Sequence, residues 1–254
     1  MAFTKDDLIT EKKKVYHKIL VNGNFGVGKT YFAMTYPKWA YCMIEPNGIM
    51  TAKSNPQLLE NMVNYDIFTP SDEEDIKVTF ERLDKYLAQV KADAKAGLVE
   101  TFILDNLTHL SKARWIFIEK YNKTFGKSGN VDTMAMFGEL SRWLNRFILT
   151  QVITLPCHVI VPVHEMEEEE TDDSTGKSTK TGRTITNTLG GFRNDAAGLF
   201  NASIFLEVKQ GTPKKYVALC QPTTRKPAKN NLGLPELVEN ISYQAIIGAL
   251  NSKK

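Results

Sequence analysis

The chain predicts an α/β domain whose mostly parallel sheet is flanked by helices and carries antiparallel strands at its C-terminal edge. Three observations predict it. Short apolar runs alternate with helical periodicity as far as residue 165, the remainder is strand-rich, and the first apolar run feeds straight into a glycine-rich turn that opens a helix. With 254 residues, 42% of them hydrophobic, the chain has enough apolar surface to bury a full core, and it reads as one domain over 1–254.

The first run, Ile19, Leu20 and Val21, is a buried strand. It leads into Gly23, Asn24, Phe25, Gly26, Val27, Gly28, Lys29, Thr30 and Tyr31, in which Gly23, Gly28, Lys29 and Thr30 satisfy G-x-x-x-x-G-K-[ST]. Glycines permit positive φ and let backbone N–H groups close around phosphate oxygens, and the following helix turns its positive end to the same anion. In this pattern Lys29 reaches the β and γ phosphates and Thr30 sets its hydroxyl on the accompanying magnesium ion. An ordinary glycine turn fits less well, because strand and helix flank the motif on the correct sides.

Further along, Pro37 ends the first helix, and Trp39 to Ile44 forms a second strand that stops at Glu45 and Pro46. Residues 64–68 make another short strand. Ser71 and Glu74 read as a capping box, followed by an amphipathic helix with Ile76, Phe80, Leu83, Leu87 and Val90 on one face. Phe102, Ile103 and Leu104 form a strand ending on Asp105. A lone Asp there is commonly a turn or cap residue; downstream of a phosphate loop it is the expected second half of the same site. Helical patterns over 113–119 and 137–152 enclose a polar, glycine-rich loop, and 158–165 is a strand in which Pro162 implies a bulge or pairing on one side only. Residues 166–190 set an acidic arm, Glu167 to Glu170, against Lys177, Lys180 and Arg183, which reads either as a projecting hairpin or as a mobile loop. Strands over 201–208 and 215–221, a polar loop and a helix over 242–250 close the chain, and 1–15 is a polar lead-in.

Composition narrows the classes. Charges interrupt the N-terminal stretch and no apolar run approaches the ~20 residues of a membrane helix, so a cytoplasmic protein with no membrane partner is expected. Cys42, Cys157 and Cys220 sit singly in apolar runs and read as core residues. A net charge of +3 permits nucleic-acid binding without arguing for it.

Together GNFGVGKT, the Asp-Asn-Leu-Thr ending at Thr108, the His164-Glu165 pair and the late RKPAKNNLGLPE stretch resemble the RecA-like P-loop ATPases, more narrowly the phage-encoded group associated with Sak-type single-strand annealing proteins. The resemblance runs from about Tyr16 to Glu239. It implies an ATP- and Mg2+-dependent ATPase, assembled as a homo-oligomer with ATP at the subunit seams. It also implies action with single-stranded DNA in phage recombination or replication, alongside a phage single-strand-binding protein as a possible partner.

The same resemblance assigns roles. Lys29 and Thr30 take phosphate and magnesium, Asp105 holds magnesium, and His164 falls where relatives keep a γ-phosphate-sensing polar residue. Glu45 occupies the first place of a Glu-bearing motif whose second place is here Asn47, and Asn106 follows the Asp, so slow hydrolysis or a nucleotide-gated scaffold is the competing reading. No arginine-rich lid follows Asp105, which disfavours a small-molecule kinase. Arg225, Lys226 and Lys229 lie where relatives donate a positive charge into a neighbour's site, or else form a solvated basic loop. Two DNA-facing loops are expected at 121–136 and 166–190. The first offers Tyr121, Lys123, Phe125 and Lys127, which combine stacking faces with positive charge.

Overall fold

The structure is a computed structural model that describes residues 15–126, 129–171, 177–211 and 214–252. Among these, ten strands form one sheet: β1 (Lys18–Gly23), β2 (Trp39–Met43), β3 (Met62–Ile67), β4 (Thr101–Asp105), β5 (His158–Thr171), β6 (Ser178–Thr186), β7 (Ala202–Lys209), β8 (Lys215–Leu219), β9 (Lys229–Asn230) and β10 (Leu237–Glu239). The order β10-β8-β7-β1-β5-β4-β2-β3 is parallel from β7 to β3 and antiparallel where β8, β9 and β10 join, with β6 paired antiparallel to β5. The mostly parallel sheet with an antiparallel late edge is thus the observed fold.

Parallel strands bury both faces, and the residues alternate accordingly. Leu20, Ala40, Cys42, Phe102, Leu104 and Val161 face a core shared with helices α3 (Ile76–Lys95), α4 (Leu107–Tyr121) and α5 (Thr133–Phe147). Ile19, Val21, Trp39, Tyr41, Ile103 and Ile160 face the opposite core, closed by α1 (Lys29–Met34) and α7 (Tyr243–Asn251). Two short helices, α2 (Met50–Ser54) and α6 (Phe192–Asp195), complete the set. All three cysteines are buried free thiols, and among the described residues no helix is long and apolar enough to cross a membrane.

Several boundaries differ from expectation. The capping box of Ser71 and Glu74 does not form: Asp75 caps α3 by accepting from Lys77 N (2.8 Å), because Glu74 is drawn away to Thr79 and Arg82. Helix α4 begins at Leu107 under an Asn106 cap rather than near 113. Buried but polar Thr108 and Ser111, each with its own hydrogen bond, hide the apolar period there. Likewise α5 starts at Thr133 on an Asp132 cap, and 148–152 is a π-helical turn.

Strand β5 behaves as its proline dictates. It pairs with β1 throughout His164, including Val21 with Pro162, but its pairing with β4 stops at Ile160, before the residue that lacks a donor. Beyond Glu165 it continues as a two-stranded ribbon with β6, where Glu167 meets Lys180 (2.7 Å) and Glu168 meets Arg183 (3.2 Å). The two charged arms thus pair over 165–171 and 178–186. The tip between them, 172–176, and most of the lead-in lie outside the described residues.

Candidate functional site

The site forms where the C-terminal ends of β1, β2, β4 and β5 converge. Strand β1 ends at Gly23, and the loop through Gly28 opens α1 on Lys29. Gly28 has φ 88°, a left-handed conformation that favours glycine. The Lys29 ammonium donates to the carbonyls of Gly23 (2.8 Å) and Asn24 (2.7 Å) and lies 3.3 Å from His164 Nδ1. Burial lowers its pKa, and the Asp105 and Glu45 carboxylates oppose that shift.

Beneath the loop Thr30 Oγ1 donates to Asp105 Oδ2 (2.7 Å), which also accepts from the Tyr41 hydroxyl (2.8 Å). Asp105 is fully buried, its Oδ1 has no hydrogen-bond partner, and burial raises its pKa to about 6 despite the two hydroxyl donors. The end of β2 is fastened alongside, since Ile44 N and Glu45 N both donate to the Asp105 carbonyl. Gly48 explains the IEPNG turn. A Cβ there would stand 2.0 Å from the Tyr41 hydroxyl, so only glycine lets the chain pass.

Asn106 is the hub of the outer half. Its Nδ2 donates to Glu45 Oε2 and lies 3.2 Å from His164 Nε2, while its Oδ1 accepts from His109 N (2.9 Å) and faces His109 Nδ1 (3.0 Å). His164 is held by Thr108 Oγ1 through its backbone N–H (3.0 Å) and is packed on the Phe25 ring at 4.0 Å between centroids. Burial, with Lys29 second, lowers the His164 pKa to about 4, so the imidazole is neutral. A cavity of about 840 Å3 runs from these groups past the loop to Tyr216 and Asn240.

The structure thus brings Lys29, Thr30, Asp105, Glu45 and His164 together. Asn24 turns its amide to Glu165 (2.8 Å), and Phe25, Gly26, Val27 and Tyr31 line the cavity with Gly28. Lys226 engages its own chain, ion-paired with Glu207 (2.7 Å) and Glu165 (3.4 Å), and Lys229 donates to the Gly198 carbonyl (2.6 Å). The carbonyl of Arg225 accepts from Thr184 N. Tyr121 ends α4 instead of opening a loop, its hydroxyl donating to Asp75. Phe125 is 60% exposed, Lys123 two residues before it is exposed as well, and Lys127 falls outside the described residues. Sequence reasoning passed over Tyr41, Gly48 and His109, and saw Asn106 only as a departure. The glycine in IEPNG was the one available signal.

A glycine-rich strand-to-helix loop, a Thr–Asp pair beneath it and a carboxylate opposite, on this sheet order, define a P-loop ATPase. The chain belongs to the AAA domain family, whose model matches residues 16–232. No curated protein matches it. Among solved structures it is similar to a prototypical ATPase from the type III secretion system of pathogenic bacteria, at 12% identity and a TM-score of 0.46, over 75% of this chain. The chain spans about half (51%) of that ATPase's length.

Proposed function

We propose that this ATPase hydrolyses ATP with Lys29 as phosphate ligand, Thr30 and Asp105 as magnesium holders and Glu45 as the base that orients water, and that it works with single-stranded DNA in phage recombination or replication. The observation that carries the chemistry is the Thr30–Asp105 bond at 2.7 Å directly under the loop. Hydroxyl and carboxylate oxygens suit a hard cation, and the unpartnered Asp105 Oδ1 leaves an acceptor for the ion's hydration shell. Magnesium, when bound, neutralises charge on the phosphate oxygens.

The chain's own groups do the rest. On binding, Lys29 exchanges its two carbonyl acceptors for phosphate, a charge-assisted contact. Glu45, its side chain 26% exposed, faces the cavity and takes the proton of the attacking water. Asn106 fixes the Glu45 oxygen it holds, and neutral His164 stands between Asn106 and the phosphate site, so a γ phosphate and the base are felt by one residue. Met50, Thr51, Asn55, Tyr216, Asn240 and Ser242 line the cavity's remaining length and offer it to a nucleoside.

The assembly reading is a homo-oligomer with the site at the seam, completed by Arg225, Lys226 or Lys229 of a neighbour, the two lysines exchanging their partners within their own chain for its phosphate. Single-strand binding is supported by the exposure of both Phe125 and Lys123 and by the resemblance. Steady-state ATP turnover with and without single-stranded DNA tests the proposal. DNA-stimulated turnover is expected, whereas nucleotide binding without turnover would favour the scaffold reading, which Asn47 and Asn106 already raise.

A further inference from the structure

Beside the magnesium-type oxygens lies a donor set of different character. Glu45, His109 and His164 each bring one ligand atom into a group lying within 4.8 Å. His164 Nε2 and Glu45 Oε2 are 3.7 Å apart. A tetrahedral zinc ion with bonds of about 2.1 Å holds its ligands roughly 3.4 Å from one another. That pair is therefore nearly in place, and the half-buried His109 ring has to close by up to about 1.4 Å.

The far sides of both rings are occupied. His109 Nδ1 faces Asn106 Oδ1 at 3.0 Å, and the His164 ring is hydrogen-bonded to the Gly23 backbone, with the Lys29 ammonium 3.3 Å from its Nδ1. A ring N–H held by a carbonyl fixes the tautomer and turns the remaining lone pair outward. With the ring protons assigned to the Nδ1 atoms, the Nε2 lone pairs are available, and between Glu45 Oε2 and His164 Nε2 the Asn106 amide N–H group supplies the positive charge that a cation would supply. Two imidazoles and one carboxylate suit zinc, cobalt or nickel, while magnesium prefers oxygens throughout.

We propose that Glu45, His109 and His164 form a transition-metal site of the zinc class, distinct from the Thr30–Asp105 pair, and that filling it withdraws Glu45 from water activation. The regulatory half rests on the role proposed for Glu45; the binding half does not. No bond is made or broken beyond coordination, with the metal displacing the Asn106 amide from the Glu45 oxygen.

Cobalt(II), titrated without nucleotide into chelator-treated full-length protein, tests the binding half through its visible absorption. One equivalent should give the intensified bands of four-coordinate cobalt, and zinc should bleach them. His109→Ala should weaken binding at least about tenfold, and Glu45→Gln, which conserves shape, gives a second reading should His109→Ala disturb the fold. No intensified absorption from the folded parent, or parent-like affinity in both variants, overturns the site. Zinc added to magnesium–ATP turnover tests the regulatory half. The parent should be inhibited and a chelator should restore it, with His109→Ala needing about tenfold more zinc. Equal sensitivity of the two proteins overturns that half and leaves the cobalt result standing.

Discussion

Single side chains decide the chemistry. Lys29→Ala should lower nucleotide affinity by one to two decades, the equivalent of about 1.5 to 3 kcal/mol for a charge-assisted phosphate contact, with the fold intact; calorimetric titration with ATP checks this. Asp105 makes the opposite bargain between stability and function. Its pKa is raised to about 6 in the folded protein against an ordinary 3.8, so its ionised form opposes folding above pH 6, and that cost fades as the pH falls toward 4. Asp105→Asn should therefore stabilise the protein at pH 7, by about 2 kcal/mol in urea titrations, while abolishing magnesium-dependent turnover. Glu45→Gln should cut turnover roughly 10²-fold with nucleotide affinity kept. Lys29, Thr30 and Asp105 were legible because each belongs to a pattern local in sequence. Tyr41 and Asn106 were not, since their partners lie 64 and 61 residues away and only the folded sheet joins them.

At the scale of elements, hydrophobic period located the strands and turn chemistry located their ends, yet helix starts slipped. Asp75 and Asn106 are caps with competing partners, and the sequence shows several acids and amides without ranking them. Opposite charges on the arms of β5 and β6 did indicate a ribbon, although the same composition serves a solvated loop equally well, and pairing decides between them. For the loop after α4, replacing Lys123 and Lys127 with Glu should weaken single-stranded DNA binding and flatten its salt dependence by about two charges. Nucleotide affinity without DNA should stay as in the parent, and fluorescence anisotropy across a salt series reads both.

For the whole molecule, sheet order and the two cores follow from alternating buried strands, which is why the fold class could be read before any coordinate. The base of the domain could not. There His17 and His158 lie edge to face at 4.6 Å, wrapped by Tyr16, Tyr36 and Tyr243, with Lys18 bonded to the Leu155 and Cys157 carbonyls. Burial lowers the His17 pKa from 6.5 to about 4. The folded protein thus keeps His17 neutral where the unfolded chain protonates it, so stability is full above pH 6.5 and is lost as the pH falls from 6.5 to 4. The loss amounts to about 3 kcal/mol. Urea midpoints across that window should fall in the parent and stay flatter in His17→Phe. If the site is shared between neighbours, mixing Lys29→Ala with an Arg225/Lys229 double variant should restore part of the turnover, and no recovery at any ratio would point to sites complete in one chain.

The one-sided pairing of β5 also has a mechanical meaning. Released from β4 after Ile160, the strand keeps His164 at the phosphate end and runs on seven residues to Thr171, a span of about 23 Å at 3.3 Å per residue. The ribbon, with one register shift between Glu167 and Glu169, is rooted beside the phosphate loop. A tilt of about 10° at His164 swings the far end through roughly 4 Å on that arm length. A tilt too small to disturb the phosphate loop would thus reach the outer end of the ribbon multiplied by the length of the arm.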